Sequence, residues 1–171
     1  MSDDIYKDLR GTHRWRRLFN QICSGLALHA PGFSMRIFLN RLKGAKIGKD
    51  CWIGDHVTID VHYGHPDWER SIVIGDRVAI GPNVKLFSHD TSSCQITRGR
   101  KAVKWGRIVI GDDSWIGPGA VVANCTIGKS CIIAPNSLVN RDVPDYSLVI
   151  GNPARVIKSL KDLVLDGAEA V

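Results

Sequence analysis

Aromatic residues are scarce, 7% of the chain, and no apolar stretch reaches the roughly 18 residues of a spanning helix. A core of stacked rings and a membrane-spanning helix are therefore not expected. Arg10, Arg14, Arg16 and Arg17 intrude before any short apolar run can form, which argues against a secretory leader and leaves the cytoplasm as the expected location. The five cysteines, Cys23, Cys51, Cys94, Cys125 and Cys131, are odd in number and contain no CxxC pair. That pattern excludes a disulfide framework and a zinc knuckle. With 44% hydrophobic and 23% charged residues over 171 positions, the chain has enough core for one domain, and disorder is not expected. In place of aromatics it has Ile, Val and 17 glycines, a composition for short strands and sharp corners. A net charge of +6 and a pI near 9.2 attract phosphates without choosing among nucleotides, nucleic acid and anionic lipid.

An aliphatic residue recurs every six positions in four triplets: Ile47, Ile53, Ile59; Ile74, Ile80, Leu86; Ile110, Ile116, Val122; Ile127, Ile133, Val139. The next residue is usually small or turn-prone, as at Gly48, Gly54, Gly75, Gly81, Gly111, Gly117 and Gly128. Two positions before each aliphatic stands another uncharged residue, among them Cys51, Cys125 and Cys131. Period two inside period six means a short strand with two inward side chains, then a corner. Three such strands close a triangular coil, so the pattern predicts an all-β, parallel β-helix of about four to five stacked coils. The three cysteines are read as small core fillers.

The ladder breaks twice. Ile59 and Ile74 stand 15 apart, an excess that holds His62, His65, Pro66 and Trp68, and Leu86 and Ile110 stand 24 apart. Long segments without repeat character tend to carry function. Three regions follow: residues 1–43 as a helical N-terminal cap, 44–150 as the repeat with a long loop at 89–106, and 151–171 as a C-terminal helix and tail. In the first, Leu18, Ile22 and Leu26, then Met35, Phe38, Leu39 and Leu42, recur at helical spacing on either side of Pro31-Gly32. Those helices are expected to cover the end of the first coil; the rival reading is a peripheral membrane contact through Arg14, Arg16 and Arg17. Asn152-Pro153-Ala154 reads as a helix start, an N-cap followed by proline.

From about residue 45 to 160 the chain resembles the hexapeptide-repeat acyltransferase family, in particular its galactoside, maltose and antibiotic acetyltransferases and the related polysaccharide acetyltransferases. Ser88-His89-Asp90, Ser114-Trp115-Ile116-Gly117, Asp142-Val143-Pro144 and Gly151-Asn152-Pro153-Ala154-Arg155-Val156-Ile157-Lys158 carry the resemblance. It implies a left-handed coil, a homotrimer with active sites between subunits, and acetyl-CoA as acyl donor. It also implies a saccharide acceptor of the kind found in polysaccharide biosynthesis, with no metal.

Acyl transfer to a hydroxyl needs a base, oxyanion donors and a slot for the thioester. His89, at the mouth of the longer break, is of the type that titrates near neutrality, and the resemblance makes it the catalytic base. The resemblance further implicates Gly117, Pro118, Pro135, Asn140, Arg141, Arg155 and Lys158 in binding the CoA moiety. Cations beside a helix start suit its phosphates. Pro118 and Pro135 lack the N–H an oxyanion donor needs. Asp60, His62 and Trp105 are candidates for the acceptor. Arg98, Arg100, Lys101 and Lys104 make the long loop basic, either to steer phosphates or as a solvated surface; nucleic-acid binding finds no accompanying module. The alternatives are N-acetylation of an amino sugar, a zinc protein resembling γ-type carbonic anhydrases that would have to use His62 or His65 with His89, and a non-catalytic scaffold.

Overall fold

The structure is a computed structural model; it describes residues 14–61 and 68–163. Two helices lead, α1 (Arg14–His29) and α2 (Phe33–Lys43). Gly32 turns the chain between them at φ 73°, and Gly44 ends α2 in the left-handed region at φ 108°.

Strands of two or three residues then follow one another around a triangle. The first circuit is β1 (Lys46–Ile47), β2 (Trp52–Ile53) and β3 (Thr58–Asp60); the second is β4 (Ile72–Ile74), β5 (Ala79–Ile80) and β6 (Lys85–Phe87). After an excursion containing β7 (His89–Asp90), α3 (Ser92–Ile96) and β8 (Lys104–Trp105), the third is β9 (Ile108–Ile110), β10 (Trp115–Ile116) and β11 (Val121–Ala123). The fourth is β12 (Thr126–Ile127), β13 (Ile132–Ile133) and β14 (Leu138–Val139), and β15 (Ser147–Gly151) continues the stack. Three parallel faces result: β1-β4-β9-β12, β2-β5-β10-β13-β15 and β3-β6-β11-β14. The register aligns Ile59 with Leu86, Leu86 with Val122, and Val122 with Val139.

Alternate residues face inward, so the hexad aliphatics stack into three ladders. Ile72, Ile80, Leu86, Ile108, Ile116 and Ile133 are fully buried. The positions two before the hexad aliphatics hold a second inward residue, Ile72, Val78, Val84, Ile108, Ser114 and Cys131 among them. Ser114 Oγ accepts from the Cys131 amide at 3.1 Å and lies 2.9 Å from the Gly128 carbonyl it donates to. Burial pushes the Cys125 thiol up to about 11 and raises Cys51 and Cys131 as well, which holds them protonated and inert.

Corners repeat too. Asp50, Arg77, Asp113, Ser130 and Tyr146 take positive φ after the first face, and His56, Asn83 and Asn136 after the second. Aspartates bind the coils axially: Asp76 Oδ1 accepts from the Lys49 amide, Asp112 Oδ1 from Asp76, and Asp145 Oδ1 from Lys129. Glycine at the corner lets adjacent coils approach; a Cβ on Gly111 would stand 2.6 Å from the carbonyl carbon of Gly128.

One expectation needs correction. Asn152-Pro153 does not open a helix: the chain turns there through a cis peptide and returns as β16 (Ala154–Ser159), antiparallel to β15. Pairing with the exposed edge of β15 satisfies backbone groups over five aligned pairs, and the β-branched Val156 and Ile157 suit a strand, so tertiary pairing overrides the cap signal. Among the described residues after β16, 161–163 are helical; 164–171 lie outside the described residues. The N-terminal helices do pack on β1, β2 and β3, but not by their apolar stripes. α1 turns Asn20, Cys23 and Ala27 inward and leaves Leu18, Ile22 and Leu26 exposed; α2 buries Ile37, Leu39, Asn40 and Lys43 while Met35, Phe38 and Leu42 are exposed. Polar anchors hold them: Arg41 donates to the Ile47 carbonyl at 2.8 Å, and Arg36 binds Asp55 and the Ile53 carbonyl.

Gly111→Ala is expected to cost about 1–3 kcal/mol, because the clash is with backbone that cannot step aside. Gly25→Ala, with nothing within 4 Å of its added Cβ on a helix, should instead stabilise by up to ~1 kcal/mol. Urea unfolding of the two variants gives the comparison; equal effects would contradict the close-stacking account.

Candidate active site

The third corner, where the β3-β6-β11-β14 face hands the chain to the β1-β4-β9-β12 face, is the irregular one. Both insertions leave from it, after β3 and after β6. The next two coils are trimmed there: Ile127 follows Val122 by five positions, and Val143, which bridges to Ile127, follows Val139 by four. The longer insertion is not an open loop. Buried Ser88 donates from Oγ to the Asp60 carbonyl at 3.1 Å, and its own carbonyl accepts from the Gly106 amide at 2.8 Å. Above that staple β7 and β8 pair antiparallel, with His89 opposite Trp105 and Asp90 opposite Lys104. Asp90 Oδ1 accepts the Ser92 amide and starts the turn into α3. A Cβ on Gly106 would meet Asn124 Oδ1 at 2.2 Å, so the ribbon's return strand lies hard against the next coil.

This ribbon carries His89 to Asp60, the last residue of β3, which is in register with Phe87. His89 Nδ1 and Asp60 Oδ2 are 3.0 Å apart. The distance is that of a hydrogen bond, although the alignment falls short of a straight one. Trp105 flanks the imidazole, ring centroids 5.9 Å apart and tilted by 44°. The side chains are 21% and 30% exposed for His89 and Asp60, so the pair is sheltered yet reachable. Hydrogen bonding to Asp60 raises the His89 pKa above its ordinary value; burial opposes this, and the charges of Asp60 and Asp90 add to the rise.

Behind Asp60 lies Lys43, buried at the end of α2. Its ammonium donates to the Ile59 carbonyl at 2.7 Å and to Asn40 Oδ1 at 3.2 Å. Burial lowers its pKa to about 8, with Asp60 pulling the other way. A cation, a carboxylate and an imidazole thus follow one another from the core to the surface. Sequence reasoning placed Asp60 among acceptor contacts and missed both its partnership with His89 and Lys43 altogether. The register of the hexad ladder carries the first signal, since it sets Asp60 level with Phe87, two residues before His89.

The other candidates fall into two groups. Asn140, Arg141 and Arg155 line one small pocket of about 130 Å³ with Asp142, Val149 and Val156, where the trimmed fourth corner meets the β15–β16 hairpin. Asn140 directly follows Val139, so it shares the corner of Asp60 and His89; it lies two strands along the axis from β6, which leads into His89, roughly 10 Å at 4.8 Å per strand, and three from β3, which carries Asp60. Lys158 is exposed on β16 opposite Leu148. Gly117, Pro118 and Pro135 stack at the second corner, with Gly117 packed on the Pro135 nitrogen. Five residues of strand, roughly 17 Å, separate Pro118 from Ala123 at the His89 corner, so a single chain does not unite these residues with His89. His62 and His65 lie outside the described residues; among the described ones no group of three potential metal ligands gathers.

A sheltered imidazole beside a carboxylate can exchange a proton, and a pocket lined by two guanidinium groups can meet an anion. The fold is a three-sided parallel coil with a histidine-bearing insertion at one corner. The family model described as bacterial transferase hexapeptide (six repeats) matches residues 107–141. A hexapeptide-repeat acetyltransferase from Vibrio cholerae has a solved structure that aligns with TM-score 0.65 and 30% identity, over 86% of this chain and 92% of that one. The galactoside O-acetyltransferase of Escherichia coli is 26% identical over 85% of this chain and 86% of its own length, and that of Lactococcus lactis 28% over 69% and 64%. The chain spans 59%, 44% and 44% of three further curated relatives. The protein belongs to the hexapeptide-repeat transferase family.

The His89 imidazole should titrate above its ordinary 6.5, and Asp60→Asn should bring it down; ring-proton NMR measures both. Because the folded value is raised, the pair's stabilisation is full below the unfolded pKa and is lost as pH rises through the folded one. Lys43→Met, which removes a neighbouring cation, should not lower the His89 pKa. A His89 titration unchanged in Asp60→Asn would contradict the assigned pairing.

Proposed function

We propose that the protein is an acetyl-CoA-dependent O-acetyltransferase acting on a saccharide hydroxyl, with His89 as general base. The observation that carries this reading is the 3.0 Å approach of Asp60 to His89 Nδ1 at the mouth of the inserted ribbon. With Nδ1 turned to the carboxylate, Nε2 is the nitrogen left for the acceptor. It takes the hydroxyl proton as the oxygen attacks the thioester carbonyl, and returns that proton to the departing CoA thiolate. Asp60 steadies the transient imidazolium, and Lys43 holds Asp60 from behind. Trp105 provides a flat apolar wall for a sugar ring, and His62 is a further acceptor candidate.

For the donor, Arg141 and Arg155 beside Asn140 suit the phosphates of CoA, with Lys158 exposed on the adjacent strand. Gly117, Pro118 and Pro135 lie a full face away from His89, which fits a thioester groove completed by a second chain. We therefore read the assembly as a homotrimer of left-handed coils, with each site shared between neighbours. The V. cholerae acetyltransferase has also been solved with acetyl-CoA bound, and the named galactoside acetyltransferases support the acceptor class. The cytoplasm, where acetyl-CoA is made available, is the location this reading requires, and polysaccharide building blocks are the acceptors it favours. N-acetylation of an amino sugar is the second reading, because the same base and donor site serve an amine.

Acetyl-CoA offered with galactosides, maltose and amino sugars should release free thiol only where an acceptor is competent. Turnover confined to amines would transfer the assignment to N-acetylation. His89→Ala should lower kcat by about 10²–10⁴-fold; full activity in that variant would remove the base. In the wild type kcat/KM should rise with pH through the raised His89 pKa, since only the neutral ring accepts a proton. In Asp60→Asn that limb should move to lower pH.

A further inference from the structure

The helices α1 and α2 are built inside out. Against the coil α1 presents Asn20, Cys23 and Ala27, and to the outside Trp15, Leu18, Ile22 and Leu26. Those four positions fall three or four residues apart, on one helical face. Trp15 is 84% exposed, Ile22 52% and Leu26 56%. On the adjoining α2, Phe38 is 55% exposed and Met35 and Leu42 are exposed with it, so both packed helices turn large apolar side chains to the outside. Trp15, Leu18 and Ile22, with Phe19 and Arg16, also line a pocket of about 460 Å³ on this face. Such a surface on a water-soluble face is costly unless something covers it.

Charge identifies the cover. From Arg14 to Lys49 the chain contains Arg14, Arg16, Arg17, Arg36, Arg41, Lys43, Lys46 and Lys49 and not one Asp or Glu. Arg14, Arg16 and Arg17 stand in the first turn of α1, next to Trp15 in the sequence. Arg16 stands over the Phe19 ring, 5.8 Å from its centroid, at the boundary of the apolar face. Aromatic and aliphatic side chains on one face, Trp at its end and arginine without any acid describe a helix that lies in the interface of an anionic bilayer. No described helix is long and apolar enough to cross one. A second copy meeting this face with its own would bring together helices that carry arginine and lysine and no carboxylate of their own.

We propose that the outer face of α1 and α2 docks the protein peripherally on membranes containing anionic lipid, with Trp15, Leu18 and Ile22 entering the headgroup boundary. The inference is independent of the acyl-transfer chemistry. The purified full chain, mixed with phosphatidylcholine vesicles with or without phosphatidylglycerol, should float with the anionic vesicles and much less with the neutral ones. Raising salt should weaken the binding. Leu18→Ser combined with Ile22→Ser should weaken it about tenfold or more, and Arg16→Glu should weaken it only on anionic vesicles. Circular dichroism and thiol release from acetyl-CoA should stay as in the wild type, which separates loss of docking from loss of fold or chemistry. Absence of flotation on anionic vesicles would overturn the proposal. So would a Leu18/Ile22 variant whose main change is a smaller assembly in sedimentation, because the face would then be covered by another copy of the chain.

Discussion

No strand of the coil can stand alone. Each of β1–β6 and β9–β14 has two or three residues, too few to hold a pairing without neighbours, so every coil depends on the backbone hydrogen bonds it exchanges with the coil above and below. That dependence forces the inward residues into register, forbids extra atoms where glycine corners touch, and leaves one freedom. Residues can be added or removed at a corner without disturbing the ladder. The chain uses this freedom at a single corner, lengthening the first two coils there and shortening the next two. The pair Asp60 and His89 and the pocket of Asn140, Arg141 and Arg155 all arise at that corner.

A rigid stack also explains how a small polar chain is kept in place. Asp60 is fixed by its strand, His89 by the Ser88 staple and the β7–β8 pairing, and Lys43 by its bonds to the Ile59 carbonyl and Asn40. The ring therefore meets its carboxylate without having to be ordered by a ligand. The electrostatic balance is graded: burial pushes Lys43 down while Asp60 pushes His89 up. The result is an imidazole whose protonated form is favoured by the carboxylate beside it.

The hexad ladder was legible because it rests on the requirement that nothing large or charged point inward, and such a rule leaves a period in the text. Cys51, Cys125 and Cys131 were legible as fillers for the same reason. The placement of His89 followed from the break in that period. What escaped the sequence depends on pairing between distant segments. Asp60 meets His89 only through coil-to-coil register, and Lys43 comes near Asp60 only because the end of α2 reaches the Ile59 carbonyl of β3. The hairpin of β15 and β16 replaced the expected C-terminal helix because an open sheet edge outweighed the local signal of Asn152-Pro153. The helical spacing of Leu18, Ile22 and Leu26 announced a helix but not which of its faces the coil would accept.

The central claim is that the neutral imidazole of His89, steadied by Asp60, faces the acyl donor. A crystal structure of the protein with CoA and a saccharide acceptor tests it most directly. The account predicts the CoA sulfur and the acceptor hydroxyl gathered at Nε2 of His89, with Asp60 still on Nδ1 and the phosphates near Arg141 or Arg155. CoA bound away from the corner of the inserted ribbon, or a His89 ring turned from the sulfur, would contradict it.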